Sequence, residues 1–278
     1  MHPLAGVEVV SLAVNLPGPL AAARLAELGA HVVKVEPPNG DPLAAAAPEW
    51  YRALIERQEV LALDVKQAAD RATLDELLAT ADLLITSMRP TALARLGLAR
   101  PQERLPRLSL IEIVGHADDP EVPGHDLNYQ AVHRTLTPPQ LPTVPIADML
   151  GAERAVSAAL AALVRRAETG VGECYRVPLE EAAARAGDAV RYRLTGPGAV
   201  LGGAFPGYAI YECADGHVAL GAVEPHFFLR TLELFGADGS HESLRTAFAD
   251  KTIAELEAIA AANDIPLNGI RTPTPIGK

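Results

Sequence analysis

The strongest constraint on the fold is an alternation of short apolar runs and helical segments along the first two-thirds of the chain. GVEVVSLA (6–13) and HVVKVE (31–36) are Val-rich runs with the length of a buried strand. Between them, LPGPLAAARLAELGA has prolines near its start, alanines in its middle and Gly29 near its end, which is typical of a helix. A strand, a helix and a strand in this order predict a parallel sheet with helices packed on it.

The same alternation continues to residue 179. The further strand and helix patterns are VLALD (60–64), a helix near 67–80, DLLITS (82–87), LSLIEIV (108–114), a long helix over 148–168 and ECYRVPL (173–179). Together they predict a doubly wound, mostly parallel, Rossmann-like large α/β domain over residues 1–195.

The composition changes near residue 195. TGPGAVLGGAFPG (195–207) is a Gly/Pro-rich connection, and YAIYECADGHVALGAV (208–223) has two strand-like runs separated by a turn at residues 214–216. LRTLELFG (229–236) and IAELEAIAAAND (253–264) have helical patterns. We therefore expect a smaller α+β domain over residues 196–278.

Charge and cysteine content argue against several classes of partner. The 278 residues include 24 Lys and Arg against 35 Asp and Glu, a net charge of −11, so binding to nucleic acid or to an anionic membrane is not expected. The longest charge-free run after Arg154, AVSAALAALV, is too short to cross a bilayer. Cys174 and Cys213 form neither a disulfide framework nor a zinc motif, and MHPLAGVEVV lacks the basic segment of a secretory signal. A reducing cytoplasm is therefore the expected compartment.

Motifs for the common cofactors are missing from the sequence. The first strand–helix turn, AVNLPGPLAA, has no G-x-G-x-x-G, and its two prolines remove N–H groups that a pyrophosphate needs. Glu36 ends the second strand as a ribose-binding acid would, but without the glycines it does not indicate a dinucleotide site. P-loop, G-x-S-x-G, H-x-x-x-H and C-x-x-C patterns are also missing, so no tightly bound cofactor and no metal are expected.

Three acid-bearing stretches carry the candidate chemistry: GHD (124–126), PIAD (145–148) and VEP (223–225). Each also has a structural explanation. His125 and Asp126 can be solvated or can cap the helix that follows, Asp148 can be an N-cap, and Glu224 can be a solvated strand end. An imidazole and several carboxylates that meet in space would tune one another's pKa values, but spacing alone does not show that they meet.

Taken in order, several blocks resemble the class III CoA-transferase (CaiB/BaiF) family, which includes α-methylacyl-CoA racemase. The blocks are LPGPLAAARLAELGAHVVKVEPPNGDP, LALDVK, ADLLITSMRPTALARLGL, GHDLNY, PIADMLGAERAVSAALAALVRRAETGVGE and LGGAFPGYAIYECADGHVALGAVEPHFF. They cover nearly the whole chain, and GHDLNY is similar to the racemase branch in particular.

The resemblance implies a catalytic set of four residues. His125 and Asp148 would be the two acid/base groups that invert the α-carbon of an acyl-CoA thioester. Asp126 and Glu224 would orient them and set their protonation. A backbone amide at the start of the helix after Asp148 would stabilise the enolate-like oxygen.

The resemblance also implies an interlocked homodimer. The active site would lie between the large, CoA-binding domain of one subunit and the small domain of the other, which places Glu224 across the interface. A coenzyme A thioester would be the substrate. Arg89, Arg95 and Tyr129 match positions near the CoA.

This chain departs from the family pattern at several positions. Glu56, Gln58 and Glu59 stand where the family has a basic cluster, so weaker contacts with CoA phosphates are expected. Thr91 replaces the glycine of an RPG motif, and the pair 133–134 is His-Arg rather than two small residues. The loop before Asp148 is short, and the sequence after DIPLNGIRT predicts a shortened C-terminal segment.

Three functions remain open at this point. The first is an acyl-CoA racemase or epimerase, favoured by the intact His125–Asp126 pair. The second is a CoA-transferase in which Asp148 attacks the thioester and forms a mixed anhydride. The third is a homologue without catalysis, or one that uses a carrier other than free CoA. Glu56 and Glu59 suggest this function because they replace the expected cations.

Overall fold

The computed structural model describes residues 2–272, which form two compact units divided after residue 187. Each unit has its own sheet and its own core. Within the described residues, no helix combines the length and the apolar composition that a crossing of the bilayer requires.

The first unit is built on six parallel strands in the order β3-β2-β1-β4-β5-β6. The strands are β1 (Glu8–Ser11), β2 (His31–Glu36), β3 (Glu59–Ala62), β4 (Leu83–Thr86), β5 (Ser109–Val114) and β6 (Cys174–Pro178). Val9 of β1 lies opposite Val32 of β2 and Leu83 of β4. This strand order is that of a doubly wound nucleotide-binding sheet, so the predicted fold class of the large unit is confirmed.

Eight helices accompany this sheet. They are α1 (Pro17–Glu27), α2 (Pro42–Ala46), α3 (Pro48–Ile55), α4 (Ala68–Thr80), α5 (Pro90–Arg95), α6 (Asp126–Val132), α7 (Ile146–Thr169) and α8 (Leu179–Ala186). Proline occupies the first turn of α1, where a missing N–H costs nothing. The long helix α7 ends at Gly170, whose φ of 76° is a left-handed conformation that suits glycine.

Both faces of the central strands β1, β4 and β5 are buried, which explains why these strands read as mostly continuous apolar runs rather than alternating ones. Val9 packs on one face in a cluster with residues of α1 and α7, including Leu25 and Ala155. The next residue, Val10, points to the other face and packs in a cluster with Leu74 of α4.

A buried ionic network fixes the loop after β1. Lys34 Nζ lies 2.8 Å from Asp41 Oδ2 and 3.2 Å from Glu36 Oε1. Asp41 Oδ1 accepts a hydrogen bond of 3.0 Å from the backbone N–H of Asn15, which has a φ of 70°. Because Lys34 and Asp41 are fully buried, each needs the other, and the network holds the Asn15 turn at the carboxyl end of β1.

The second unit contains an antiparallel sheet of order β7-β8-β9. Its elements are α9 (Asp188–Arg191), β7 (Tyr208–Cys213), β8 (Gly216–Gly221), α10 (Pro225–Phe235), α11 (His241–Phe248), α12 (Ile253–Ala262) and β9 (Leu267–Gly269). The predicted hairpin is confirmed by the pairing of β7 with β8. Tyr211 and Phe248 lie in its core, and α12 begins with a capping box between Thr252 and Glu255.

Candidate active site

A cleft of about 250 Å³ lies at the carboxyl edge of the parallel sheet. The order of the strands reverses between β1 and β4, and ligands of doubly wound proteins bind at such a reversal because the adjoining loops leave in opposite directions. The lining residues come from the loops after β1, β4 and β5 and from α6, α7 and α8. They include Asn15, Ser87, Arg89, Gly115, Gly124, His125, Tyr129, Asp148 and Leu179.

The start of α6 places His125 and Asp126. His125 is exposed and immediately precedes the helix, and its backbone N–H donates to Asn128 Oδ1 at 3.1 Å. Asp126 is the first helical residue, and its Oδ2 accepts a hydrogen bond of 2.6 Å from the side chain of Gln130 one turn later. Gln130 is buried, so this bond fixes the carboxylate of Asp126 rather than leaving it to solvent.

The Asp126 carboxylate also caps the next long helix. Asp126 Oδ1 accepts hydrogen bonds from the backbone N–H of Ala147 at 2.8 Å and of Asp148 at 3.3 Å, in the first turn of α7. Asp148 is therefore not the N-cap of α7, a role that the sequence left open for it; it is the third helical residue. Its side chain is free of capping and lines the cleft.

Asp148 is a carboxyl group with a strongly perturbed pKa. Burial raises its pKa to about 7, and the negative charge of Asp126 acts in the same direction. A carboxyl group with a pKa of about 7 is populated in both protonation states at neutral pH, so it can both donate and accept a proton.

Tyr129 forms one wall of the cleft. It is buried, and a Cβ atom added at Gly115 or Gly124 would stand 2.6 to 2.8 Å from its hydroxyl oxygen. The ring therefore requires glycine at both positions. Burial, with the nearby charges of Asp148 and Glu180, raises the pKa of Tyr129 to about 12, so its hydroxyl stays a neutral donor at neutral pH.

The backbone N–H groups near Asp148, one of which was expected to bind the enolate oxygen, already have hydrogen-bond partners. The N–H of Ile146 donates to Val144 O, that of Met149 donates to Pro145 O, and those of the two residues between them donate to Asp126. The first turn of α7 is thus already hydrogen-bonded, and the expectation that it offers a free amide to an enolate is wrong. Tyr129, whose hydroxyl stays a neutral donor, is among the residues that line the cleft.

The two candidate phosphate ligands, Arg89 and Arg95, lie at the two ends of α5. Arg89 precedes the helix and lines the cleft, and Arg95 ends the helix. Glu121 accepts a hydrogen bond from the backbone N–H of Thr91, and another from its hydroxyl. Those bonds, followed by the charges of Arg89 and Arg95, hold the pKa of Glu121 below its usual range. The negative charge of Glu121 therefore stands close to both arginines.

The remaining predicted residues belong to other elements of the chain. Glu224 is an exposed residue of the second unit, directly before α10 and beyond the end of β8, so it is a helix N-cap position rather than a strand end. Glu59 opens β3 at the amino edge of the sheet, 3.9 Å from His31 Nε2. The effect of Glu56 and Glu59 on CoA stays a prediction.

The structure adds groups that the sequence analysis passed over. Gln130 holds Asp126, and the i, i+4 spacing of the two residues on a predicted helix was a signal for this contact. Gly115 and Gly124 admit the Tyr129 ring, and neither carries a sequence signal that would have revealed it. Among residues 2–272, no group of three His, Cys, Asp or Glu side chains is arranged to hold a metal ion.

A doubly wound sheet with an imidazole and a carboxyl group of raised pKa in the cleft at its reversal point defines an α/β enzyme equipped for acid–base or acyl-transfer chemistry. The family described as CoA-transferase family III matches residues 4–276, and the chain belongs to that family.

Relatives with both kinds of activity resemble the chain to a similar degree. Succinate–glutarate CoA-transferase of Agrobacterium fabrum is 29% identical over 84% of this chain and 66% of its own length. α-Methylacyl-CoA racemase of Homo sapiens is 30% identical over 81% of this chain and 63% of its own length. The chain thus spans two thirds or slightly less of these curated relatives.

The fold is also that of a CAIB/BAIF family protein from Brucella suis. Its crystal structure has a TM-score of 0.79 and 24% identity over 97% of this chain and 84% of that chain. This likeness concerns the architecture, and the predicted family resemblance is confirmed independently by the sequence match.

Proposed function

We propose that the chain is an acyl-CoA racemase or epimerase that inverts the α-carbon of a 2-methylacyl-CoA-like thioester. The observation that carries the proposal is the shared cleft of His125 and Asp148, with the pKa of Asp148 raised to about 7. Inversion needs two groups that exchange one proton across the α-carbon, and the proton must be available at neutral pH.

The proposed racemisation removes one proton from Cα and returns one proton to it. One base removes the proton from Cα, and the electron pair moves into the thioester carbonyl to form an enolate. The other group then returns a proton to the opposite face of Cα, so no atom is gained or lost. Asp126 holds the turn before Asp148 through Ala147, and Tyr129 offers its hydroxyl to the enolate oxygen.

The CoA portion requires cations, and the proposed ligands of its phosphates are Arg89 and Arg95 beside the cleft. We further propose an interlocked homodimer in which Glu224 completes the catalytic set of the partner subunit. The acyl-CoA is the substrate, and the proposed reaction uses no bound cofactor.

CoA transfer is the alternative, supported by the transferase among the relatives. Asp148 would then attack the thioester carbonyl carbon as a carboxylate, the C–S bond would break, and CoA would leave as a thiolate. This reaction needs Asp148 ionised, and the raised pKa of Asp148 leaves the carboxyl group protonated in part of the molecules at neutral pH.

Incubation with a 2-methylacyl-CoA in D2O separates the two reactions. A racemase exchanges the Cα proton for deuterium, and His125→Ala and Asp148→Ala each abolish inversion while leaving exchange from opposite enantiomers. A transferase instead yields a hydroxamate when hydroxylamine traps the acyl group on Asp148. Trapped acyl-enzyme without Cα exchange would refute the racemase assignment.

Thermal shift tests the third function. A ligand at a hundred times its dissociation constant adds about 2.7 kcal/mol to the free energy of unfolding. Acyl-CoA binding with neither exchange nor trapping would indicate a binding protein without catalysis.

A further inference from the structure

One carboxylate is shared by two histidines next to the cleft, outside the groups that the proposed reaction uses. Glu180 Oε2 lies 2.7 Å from His116 Nδ1, and Glu180 Oε1 lies 3.1 Å from His133 Nε2. The three side chains are between 26% and 34% exposed, so the two bonds are partly shielded from water. We call these three residues the histidine bridge.

The histidine bridge joins three elements that meet at the cleft. His116 follows β5, His133 directly follows the last residue of α6, and Glu180 lies in the first turn of α8. The backbone N–H of Glu180 also donates to Gly115 O at 3.0 Å. The carboxylate therefore ties the end of α6 to the loop after β5 and to α8.

A second contact runs from the bridge to the middle of α6. The His116 ring meets the Tyr129 ring edge to face, with 5.4 Å between centroids and an interplanar angle of 77°. Tyr129 in turn packs against Gly124, the residue before His125. The short helix that begins with the proposed catalytic pair is thus held at its end by His133 and at its centre through His116.

Hydrogen bonds from the two histidines favour the ionised form of Glu180. The hydrogen bond from His116, followed by that from His133, lowers the pKa of Glu180. Asp118, Asp119 and Glu181 line the same hollow, and Glu181 pairs with Arg154 at 3.0 Å.

We propose that Glu180 is a positioning residue, which holds α6 so that His125 and Asp126 keep their orientation in the cleft. This proposal rests on the proposed function. A seven-residue helix has few hydrogen bonds of its own, so its contacts with neighbouring elements determine its position. Small displacements of reacting groups are costly, with a change of about 1 Å lowering a rate by up to about 100-fold.

The test compares Glu180→Ala and His133→Ala with the matched control Glu181→Ala. The control removes the neighbouring carboxylate of the same helix and only a partly exposed pair with Arg154. We expect the first two variants to lower kcat for Cα exchange about tenfold, with KM changed less than about twofold, because the start of α6 carries the proposed acid–base pair while the proposed phosphate ligands lie at α5. The control should match the wild type in both parameters.

Hydrogen–deuterium exchange of the α6 amides gives a readout independent of turnover. Glu180→Ala and His133→Ala should each exchange residues 126–132 at least about threefold faster, and the double variant should be no faster than Glu180→Ala alone. His133→Gln, which keeps an N–H donor, should recover part of the protection. If Glu180→Ala fails to fold, Glu180→Gln preserves its volume and carries the same comparison.

Wild-type α6 exchange and wild-type kcat in Glu180→Ala would overturn the proposal. If the wild type racemises its substrate and Glu180→Ala behaves like the wild type, the positioning role of Glu180 is refuted while the racemase assignment stands. Conversely, if the wild type has no turnover, the proposed function fails, and the α6 exchange alone decides the role of Glu180.

Discussion

Asp126 Oδ1 lies 2.8 Å from the backbone nitrogen of Ala147, and this bond joins the two candidate stretches of the site. One carboxylate thereby ends the GHD motif, caps α7 and places a negative charge next to Asp148. The structural explanation and the catalytic explanation for Asp126 are thus compatible, since the cap is what brings its charge to Asp148.

Asp126→Asn should lower the pKa of Asp148 because it removes the neighbouring negative charge while keeping an oxygen that can accept from Ala147. Burial is the larger cause of the raised pKa, so the value should remain above that of an ordinary aspartate. A carbon-detected NMR titration of the Asp148 carboxyl group measures it. An unchanged titration midpoint would show that the charge of Asp126 does not reach Asp148.

Asp148→Asn should stabilise the fold at pH 8 and leave stability unchanged near pH 3.5. The native pKa of about 7 exceeds the unfolded value near 4, so the native state binds the extra proton between these values and loses stability as pH rises through them. The gain at pH 8 should be about 2 to 4 kcal/mol, measured by urea unfolding. Asp118→Asn, at an exposed position, is the control and should show no such pH-dependent gain.

The pH dependence of kcat/KM should be bell-shaped and the same for both enantiomers. A two-base reaction needs one proton on the pair of His125 and Asp148, and the two singly protonated forms interconvert in a ratio that pH does not change. Activity should fall above the pH at which the pair loses that proton. A transferase needs only the Asp148 carboxylate, so its rate should rise through about pH 7 and then stay level.

Glu121→Gln should tighten the binding of CoA. The substitution removes a negative charge that stands near Arg89 and Arg95 and keeps an acceptor for Thr91. We expect the dissociation constant to fall about two- to fivefold at low salt, and the difference to fade at high salt, because exposed charges are screened. Glu103→Gln removes an exposed carboxylate beside Arg100 and is the control, measured by calorimetry with CoA alone. Equal affinities at low salt would show that the two arginines do not hold the phosphates.

The sequence by itself determined the class of fold and the identity of the candidate acid and base. Runs such as HVVKVE became β2 with the predicted bounds, because strand formation follows the local pattern of apolar residues. Motifs such as GHDLNY are also local, since the residues of one turn keep their spacing wherever the turn lies. The hairpin of residues 208–221 was predictable for the same reason.

Only the tertiary structure decided how these parts act on one another. Asp126 reaches Ala147 across 21 positions, and Glu180 reaches His133 across 47 and His116 across 64. The pKa of Asp148 depends on burial and on a neighbouring charge, and Lys34 finds Asp41 inside the core. Hydrogen bonding, desolvation and Coulomb interaction act through space, over distances that the order of residues along the chain does not specify.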